Sequence, residues 1–360
     1  MKLWLNSKRR LGLQLFSLTL ILLLFGLFMI YSASVAEALK TFGDKFYFVK
    51  QQLKWTSLGL ILMFFFSRLS LKTLRRFAPQ ILVFGLVLLV LVLIPGIGSK
   101  LHGARRWLIF PFFTLQPSEL MKLIEIIYLS VFLNSKSVSF GQFLVFIGSI
   151  AFLVLLQPDM GTTLVLLSSA VAVYFLAGYP LKQIIFLALA GGVALLVLIL
   201  VSPYRASRLK TFLDPMHDPL GSSYHIRQIL LAFGSGGLSG VGLGKSRQKH
   251  NYLPESTTDS IFAVIGEELG FLGGVALIAL FTYFIHLGFA IAERTQDKFA
   301  RTLAGGITSW FAVQVVLNLA SMVALTPLTG IPLPLVSYGG SALVTMLSGI
   351  GLLINISRYN

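Results

Sequence analysis

Acidic residues at the borders of apolar segments are the residues of this sequence best suited to chemistry. Asp259 stands where a polar segment, residues 202–258, gives way to an apolar run, and Glu255 lies four residues before it. A carboxylate in that position either caps the free amides of a helix start or serves as a general base at a membrane boundary. Amide donors would lower the pKa of the Asp259 carboxyl and apolar burial would raise it, so both roles stay open.

Further ionisable residues lie inside or beside apolar runs. Glu119 and Lys122 are three residues apart, so they share one face of a helix and can pair with each other. Glu267 and Glu268 lie deeper in the run after residue 259, where charge is costly, and a structural ion pair is favoured over a chemical role. Asp159 marks another turn and is placed to start a helix.

The segment 202–258 is basic. Long loops cross a membrane largely regardless of charge, so the bases are either tolerated there or form a surface for an anionic ligand such as a lipid phosphate. The bases are Arg205, Arg208, Lys210, Arg227, Lys245, Arg247 and Lys249.

A glycine-rich stretch within this segment, residues 234–246, ends in Gly-Lys-Ser. It is no Walker A motif, because Ser239 stands where that motif needs glycine and no buried strand precedes it. We expect instead a flexible backbone that approaches its neighbours closely and whose exposed amides are able to bind an anion.

The composition places the chain in a membrane. Of 360 residues 56% are hydrophobic and only 12% are charged, whereas a soluble domain has about a quarter charged. The absence of cysteine excludes disulfides and thiolate sites, and the net charge of +16 is explained by topology and anionic lipid rather than by nucleic acid. Ten spans are predicted, at about residues 11–33, 52–67, 79–96, 118–133, 141–156, 160–177, 183–201, 260–290, 303–325 and 340–356.

These spans define an all-α polytopic membrane protein with a single membrane domain over residues 1–360. With both termini cytoplasmic, the short inner segments hold fourteen Lys and Arg residues and the short outer loops hold seven, as the positive-inside rule requires. Residues 202–258 then form a large extracytoplasmic loop before the eighth span. Arg105, Arg106, Glu119, Lys122, Asp159 and Asp259 fall on the same outer side. A carboxylate among cations there suits the transfer of a group from a lipid phosphate, and it equally suits transport of an anionic lipid.

Together these residues resemble the SEDS family (shape, elongation, division and sporulation proteins), bacterial peptidoglycan polymerases of ten spans. The resemblance covers nearly the whole chain, and its Gly240–Lys249 string is more like the cell-division branch, FtsW, than the elongation branch, RodA. The motifs that carry it are Tyr31-Ser-Ala-Ser34, Gly103-Ala-Arg-Arg-Trp107, Gln116-Pro-Ser-Glu119, Gln157-Pro-Asp-Met-Gly-Thr162, Phe212-Leu-Asp-Pro215, Asp218-Pro-Leu-Gly221, Tyr252-Leu-Pro-Glu255, Thr258-Asp259, Ile265-Gly-Glu-Glu-Leu-Gly270 and Pro334-Leu-Val-Ser-Tyr-Gly-Gly-Ser341.

The resemblance implies a reaction and roles for residues. The GlcNAc 4-hydroxyl of lipid II would attack the MurNAc anomeric carbon of a glycan on undecaprenyl pyrophosphate, with Asp259 as general base. Arg106 and Lys122 would offset charge on the leaving pyrophosphate, with Glu119 as the acidic partner on the same helix. The remaining candidates are Lys245 and Arg247 for substrate binding and Asp159, Glu255, Glu267 and Glu268 for the polar cavity.

It also implies a setting in the bacterial cytoplasmic membrane, a class B penicillin-binding protein as transpeptidase partner, and other divisome proteins. The resemblance identifies no definite cofactor and leaves open a divalent cation, Mg²⁺ or Mn²⁺. Where the family has His-Thr-Asp-Phe, this chain has Thr257 in place of the histidine and Ser260 in place of the phenylalanine. A lipid II flippase would use the same cavity without bond making, and a scaffold that recruits the transpeptidase would need neither Asp259 nor Lys122.

Overall fold

The computed structural model describes residues 2–101, 104–111, 113–135, 138–214, 218, 221, 223–250 and 252–358, without the side chains of 2–8, 101 and 203–205. The predicted motif residues Gly103, Pro215, Pro219 and Leu220 and the inner base Lys136 lie outside this description, as does the side chain of Arg205. The described part forms α1 (Lys2–Phe42), α2 (Tyr47–Phe66), α3 (Leu71–Leu91), β1 (Gly98–Leu101), β2 (Ala104–Ile109), β3 (Thr114–Leu115), α4 (Pro117–Phe132), α5 (Phe140–Leu155), α6 (Met160–Leu176), α7 (Leu181–Val201), α8 (Pro203–Leu213), α9 (Tyr224–Gly236), α10 (Ile261–Glu293), α11 (Lys298–Met322) and α12 (Gly340–Ile356).

Each of the ten predicted spans coincides with a helix, namely α1 to α7 and α10 to α12. Within the described residues, five stretches are long and apolar enough to cross a membrane on length and composition alone, and three shorter apolar helices accompany them. The five are Arg9–Phe42, Leu71–Leu91, Leu181–Val201, Ile261–Glu293 and Lys298–Met322. The helix positions therefore agree with the predicted fold class, while the orientation in the membrane stays a prediction.

Two features of the fold were not predicted. Between α3 and α4 the chain forms a small antiparallel sheet in the order β1-β2-β3, whose strands are too short to stand out from a loop in the sequence. Ala104 and Leu108 of β2 are buried while the residues between them are half-buried, so the strand covers the end of the helices. The predicted extracytoplasmic loop also contains helical structure, in α8 and α9.

Helix α11 runs through the centre of the bundle and contacts α4, α6, α10 and α12. Trp310 at its middle is completely buried. In contrast, α7 exposes most of its side chains, as a helix facing lipid does. Residues 323–339 connect α11 to α12 without regular structure, and this α11–α12 loop packs closely on α1. A Cβ atom added at Gly26 would lie 2.6 Å from the carbonyl oxygen of Leu335.

The orientation can be tested by labelling single cysteines in this cysteine-free chain. Tyr252 is exposed in the segment predicted to be outside, and Gln296 is exposed in the loop between α10 and α11, predicted to be inside. We expect an impermeant maleimide to label a Tyr252→Cys variant in intact cells and a Gln296→Cys variant only after permeabilisation. The reverse pattern would show that the chain is inserted with its termini outside.

Candidate functional site

Asp259 lies in the turn directly before α10. The first residue outside that helix is Ser260, and the helix start has no side-chain cap. The capping alternative for Asp259 is therefore wrong. Its carboxylate accepts a long hydrogen bond of 3.4 Å from the Thr258 hydroxyl, and the residue as a whole is half-buried.

The main chain around Asp259 is held by two other parts of the structure. The Asn318 side-chain amide of α11 donates to the Asp259 carbonyl oxygen at 2.9 Å. From the α11–α12 loop, the Ser337 hydroxyl donates to the Thr258 carbonyl, and the Tyr338 amide donates to the preceding carbonyl at 2.8 Å. These bonds fix the position of Asp259 through its backbone and leave the carboxylate available for chemistry.

Burial raises the pKa of the Asp259 carboxyl to about 7, and the negative charge of Glu255 adds to the rise. Its own backbone amide, the Thr258 hydroxyl and the charge of Arg208 act in the opposite direction. Glu255 adopts a left-handed backbone conformation with φ of 52°, which is strained for a residue with a side chain. Its carboxylate accepts a 2.6 Å hydrogen bond from Thr258. A carboxyl with a pKa near 7 is half ionised at neutral pH, as a general base should be.

Arg208 and His225 complete the surroundings of Asp259, and neither was singled out from the sequence. They line a cavity of about 220 Å³ between α8 and α9, together with Ser207, Thr211, Phe212, Ile226 and Leu328. The Arg208 guanidinium donates to the Leu328 carbonyl oxygen at 2.7 Å. The sequence signal for Arg208 was only its membership of the basic segment, and His225 had none.

The expected pair of Glu119 and Lys122 is present and buried. The Lys122 ammonium lies 2.6 Å from a Glu119 oxygen, and the two side chains are 1% and 5% exposed. The ammonium also donates to the Gln314 side-chain oxygen of α11 at 3.4 Å. Lys122 therefore neutralises Glu119 in this structure rather than facing an open cavity.

Gln314 and Asn318 link this pair to Asp259. They stand one turn apart on α11 and both donate to the α11–α12 loop, Gln314 to the Pro332 carbonyl at 3.1 Å and Asn318 to the Ile331 carbonyl at 2.8 Å. Two amides four residues apart in an apolar span are a signal that sequence reasoning missed, because polar residues within membrane helices usually serve packing or function.

Asp159 and Arg106 meet at the turn before α6. Asp159 is the N-cap of that helix, as expected for a helix start, and accepts a 3.0 Å bond from the Thr162 amide. The Arg106 guanidinium of β2 donates to the carbonyls of Gln157, at 3.0 Å, and Pro158. Arg106 therefore binds main-chain oxygens of the turn, which lies against the α11–α12 loop at residue 161.

Glu267 and Glu268 hold the glycine-rich stretch onto α10. Glu268 pairs with Lys249 at 2.9 Å and accepts a bond from Ser32 at 2.8 Å, so it forms the structural ion pair favoured from the sequence. Glu267 accepts the Arg247 amide at 2.9 Å. Of the amides in the glycine-rich stretch, that of Ser246 donates to the Glu268 carboxylate at 3.4 Å.

The glycine-rich stretch also bonds to the main chain of α10, through amides 241 and 242. A Cβ at Gly240 would lie 2.1 Å from the Glu268 carbonyl oxygen, and α10 is interrupted at Gly270, where φ is 67°. The close approach is confirmed, and amides 241, 242 and 246 of the stretch are bonded within the chain. The side chains of Lys245 and Arg247 are exposed beside Glu267, about two helical turns from Asp259, so the structure does not bring them to it.

The carboxylates of Glu255 and Asp259 lie near each other and would be the ligands of a divalent cation such as Mg²⁺ or Mn²⁺. Within the described ranges, however, no group of three His, Asp or Glu residues is arranged to hold a metal ion.

Comparison with known proteins shows similarity along almost the entire chain. A family model for FtsW, RodA and SpoVE, described as cell cycle protein, matches residues 13–360. Stage V sporulation protein E of Bacillus subtilis (strain 168) is 42% identical over 355 residues, which cover 97% of this chain and 97% of that protein. The probable peptidoglycan glycosyltransferase FtsW of Trichlorobacter lovleyi is 42% identical over 343 residues, covering 92% and 89%.

Solved structures agree with the fold. A chain from a peptidoglycan synthase complex that coordinates polymerization and crosslinking matches with a TM-score of 0.80 at 30% identity, covering 96% of this chain and 97% of that one. The rod shape determining protein RodA of Thermus thermophilus matches with a TM-score of 0.71 at 30% identity and the same coverage. The predicted class of an all-α polytopic membrane protein is confirmed.

The electrostatic effect of Glu255 on Asp259 leads to a titration experiment. In a Glu255→Gln variant we expect the pKa of the Asp259 carboxyl to fall below about 7 yet stay above its ordinary value, because burial remains. Infrared difference spectroscopy with labelled aspartate measures this directly. A Glu293→Gln variant, changed at the exposed far end of α10, is the control and should leave the titration unchanged. An unmoved pKa in Glu255→Gln would contradict the assignment.

The buried pair leads to a stability experiment. A Lys122→Met variant leaves Glu119 charged and unpaired, so we expect it to lose about 3–5 kcal/mol of unfolding free energy. Changing both residues to Met removes both charges and should recover most of that loss, measured as reversible unfolding in detergent. Lys298→Met, at an exposed position, should change little. A double variant no more stable than the single one would show that the pair itself is required.

Proposed function

The chain belongs to the FtsW, RodA and SpoVE family of cell cycle proteins, and from this we propose that it polymerises lipid II into β-1,4 glycan strands for septal cell-wall synthesis. It is a multi-pass protein of the bacterial cytoplasmic membrane. In the predicted orientation the reaction takes place on the outer face. Residues 1–360 act as one membrane domain, and residues 202–258 contribute α8, α9 and the glycine-rich stretch to the outer side.

The reaction joins two lipid-linked sugars. The GlcNAc 4-hydroxyl of lipid II attacks the MurNAc anomeric carbon of the growing glycan, which is attached to undecaprenyl pyrophosphate. A carbon–oxygen bond forms between the sugars, the bond to the pyrophosphate breaks, and the lipid pyrophosphate leaves with the electron pair. The hydroxyl proton passes to the Asp259 carboxylate, so the nucleophile gains negative character as it attacks.

The fixed position of Asp259, together with the raised pKa of its carboxyl, carries this proposal. Its pKa of about 7 keeps a large share of the carboxylate ionised at neutral pH while making it a stronger base than an ordinary aspartate. Its backbone is fixed by Asn318, so the carboxylate would meet the acceptor hydroxyl in a defined position.

Cations on the outer side would bind the pyrophosphate. Arg106 is half-buried at the turn before α6, and Lys245 and Arg247 are exposed on the glycine-rich stretch. Lys122 is buried against Glu119, so its role is to balance the negative charge of that carboxylate. Among the residues added by the structure, Arg208 carries a positive charge that acts on Asp259.

A transpeptidase partner follows from the same family. One solved relative forms part of a peptidoglycan synthase complex that couples polymerization to crosslinking. We propose that this chain likewise works with a class B penicillin-binding protein, which crosslinks the glycan as it is made, and with further divisome proteins.

Substituting the proposed base tests the function. Asp259→Asn keeps the size of the side chain and leaves the backbone bonds to Asn318 in place, so folding should change little. It removes the proton acceptor, and we expect polymerisation of lipid II by the purified protein with its transpeptidase to fall by about a hundred- to ten-thousandfold. Glycan strands separated on a gel are the measurement.

The control is Asp297→Asn at the start of α11. Asp297 caps that helix through the Ala300 amide at 2.8 Å, and asparagine caps equally well, so activity should persist. Lipid II moved across vesicles without glycan formation by the wild-type protein would favour a flippase. A protein that binds the transpeptidase and makes no glycan, with or without Asp259, would favour a scaffold. Near wild-type polymerisation by Asp259→Asn would refute the catalytic assignment.

A further inference from the structure

His225 of α9 contacts the residue that follows Asp259. Its Nε2 atom lies 2.7 Å from the Ser260 hydroxyl oxygen. The Ser260 side chain is completely buried and the residue stands at the start of α10. The imidazole therefore reaches, from a separate helix, the backbone that carries the carboxylate.

The histidine ring is neutral under ordinary conditions. Burial lowers the pKa of His225 to about 4, the charge of Arg208 lowers it further, and Glu255 and a hydrogen bond to the Pro254 backbone act in the opposite direction. A neutral ring that gives its hydrogen to a carbonyl oxygen leaves its other nitrogen to accept one. His225 is thus placed to bond Pro254 on one side and to accept the Ser260 hydroxyl on the other.

These two contacts enclose the turn that bears Asp259. Pro254 precedes the strained Glu255, and Ser260 follows Asp259, so His225 contacts the turn at its Ser260 end and lies near its Pro254 end. Asn318 binds the same turn from α11. A strained backbone persists only where its surroundings hold it, and here α9 and α11 hold it from two directions.

We propose that His225 is a positioning residue for the reaction, which holds Ser260 and Pro254 so that the Asp259 carboxylate meets the acceptor hydroxyl at the correct distance. The inference rests on the proposed function, because it concerns the same proton transfer. The sequence motif expected from family resemblance would place a histidine at Thr257; in this chain the imidazole reaches the turn from α9 instead.

The role predicts an effect on turnover rather than on substrate affinity. A displacement of about 1 Å at a reacting group costs up to about a hundredfold in rate. We expect His225→Leu to lower kcat for lipid II polymerisation by about ten- to a hundredfold and to leave KM nearly unchanged. His286→Leu, the same change at an exposed position of α10, is the matched control and should have wild-type kinetics.

Conservative variants separate positioning from bulk packing. The side-chain oxygen of glutamine reaches the place of Nε2, whereas that of asparagine reaches only the place of Nδ1. We therefore expect His225→Gln to restore most of kcat and His225→Asn to remain impaired. Ser260→Ala should lose part of what His225→Leu loses, and the double variant should lose no more than His225→Leu, because His225→Leu already removes the contact with Ser260.

Three outcomes would overturn the proposal. A folded His225→Leu protein with wild-type kcat would show that the contact is not used, and an increase in KM alone would make His225 a substrate contact. If His225→Leu does not fold, equal kcat for the Gln and Asn variants is decisive against it. In each case a wild-type protein that polymerises lipid II in an Asp259-dependent manner leaves the proposed function standing. A wild-type protein without glycan synthesis refutes both.

Discussion

Carbonyl groups of the α11–α12 loop need hydrogen-bond donors, because irregular backbone among apolar helices has no water to satisfy it. Gln314 and Asn318 of α11 supply two of these donors, to Pro332 and Ile331. Since Asn318 also donates to the Asp259 carbonyl, the solution to a folding problem sets the position of the proposed base. Gln314 also accepts a hydrogen bond from Lys122, so it connects the Glu119–Lys122 pair to the same loop. A substitution in the pair is therefore expected to affect the loop, and the reverse.

The way in which Asp259 is held also explains why the pKa of its carboxyl is raised. The donors around it bind main-chain carbonyls, and among the residues that the structure describes the carboxylate itself has only a long bond from Thr258 and its own amide. Desolvation is therefore not offset by strong donors, and the neighbouring Glu255 charge raises the pKa further. A network that bonded the carboxylate directly would have made Asp259 a weak base.

Charged side chains elsewhere in the structure form buried ion pairs within the chain. Glu268 with Lys249 and Glu119 with Lys122 are buried pairs, and such pairs are costly to break once one partner is removed. Glu267 fixes the glycine-rich stretch by accepting its amides, which defines the surface carrying Lys245 and Arg247. The cations that remain open to solvent are the ones available to an anionic lipid.

The membrane class, the positions of ten helices, the pairing of Glu119 with Lys122 and the candidacy of Asp259 could all be predicted from the amino-acid sequence, because hydropathy and helical spacing are local properties. The surroundings of Asp259 could not, because they form when distant segments pack together. His225 lies 35 residues before the Ser260 that it contacts, and Asn318 lies 59 residues after the carbonyl that it binds. Neither distance leaves a local pattern, and desolvation of a carboxyl depends on every element packed around it, so the partners and the pKa of this group follow from the assembled helices.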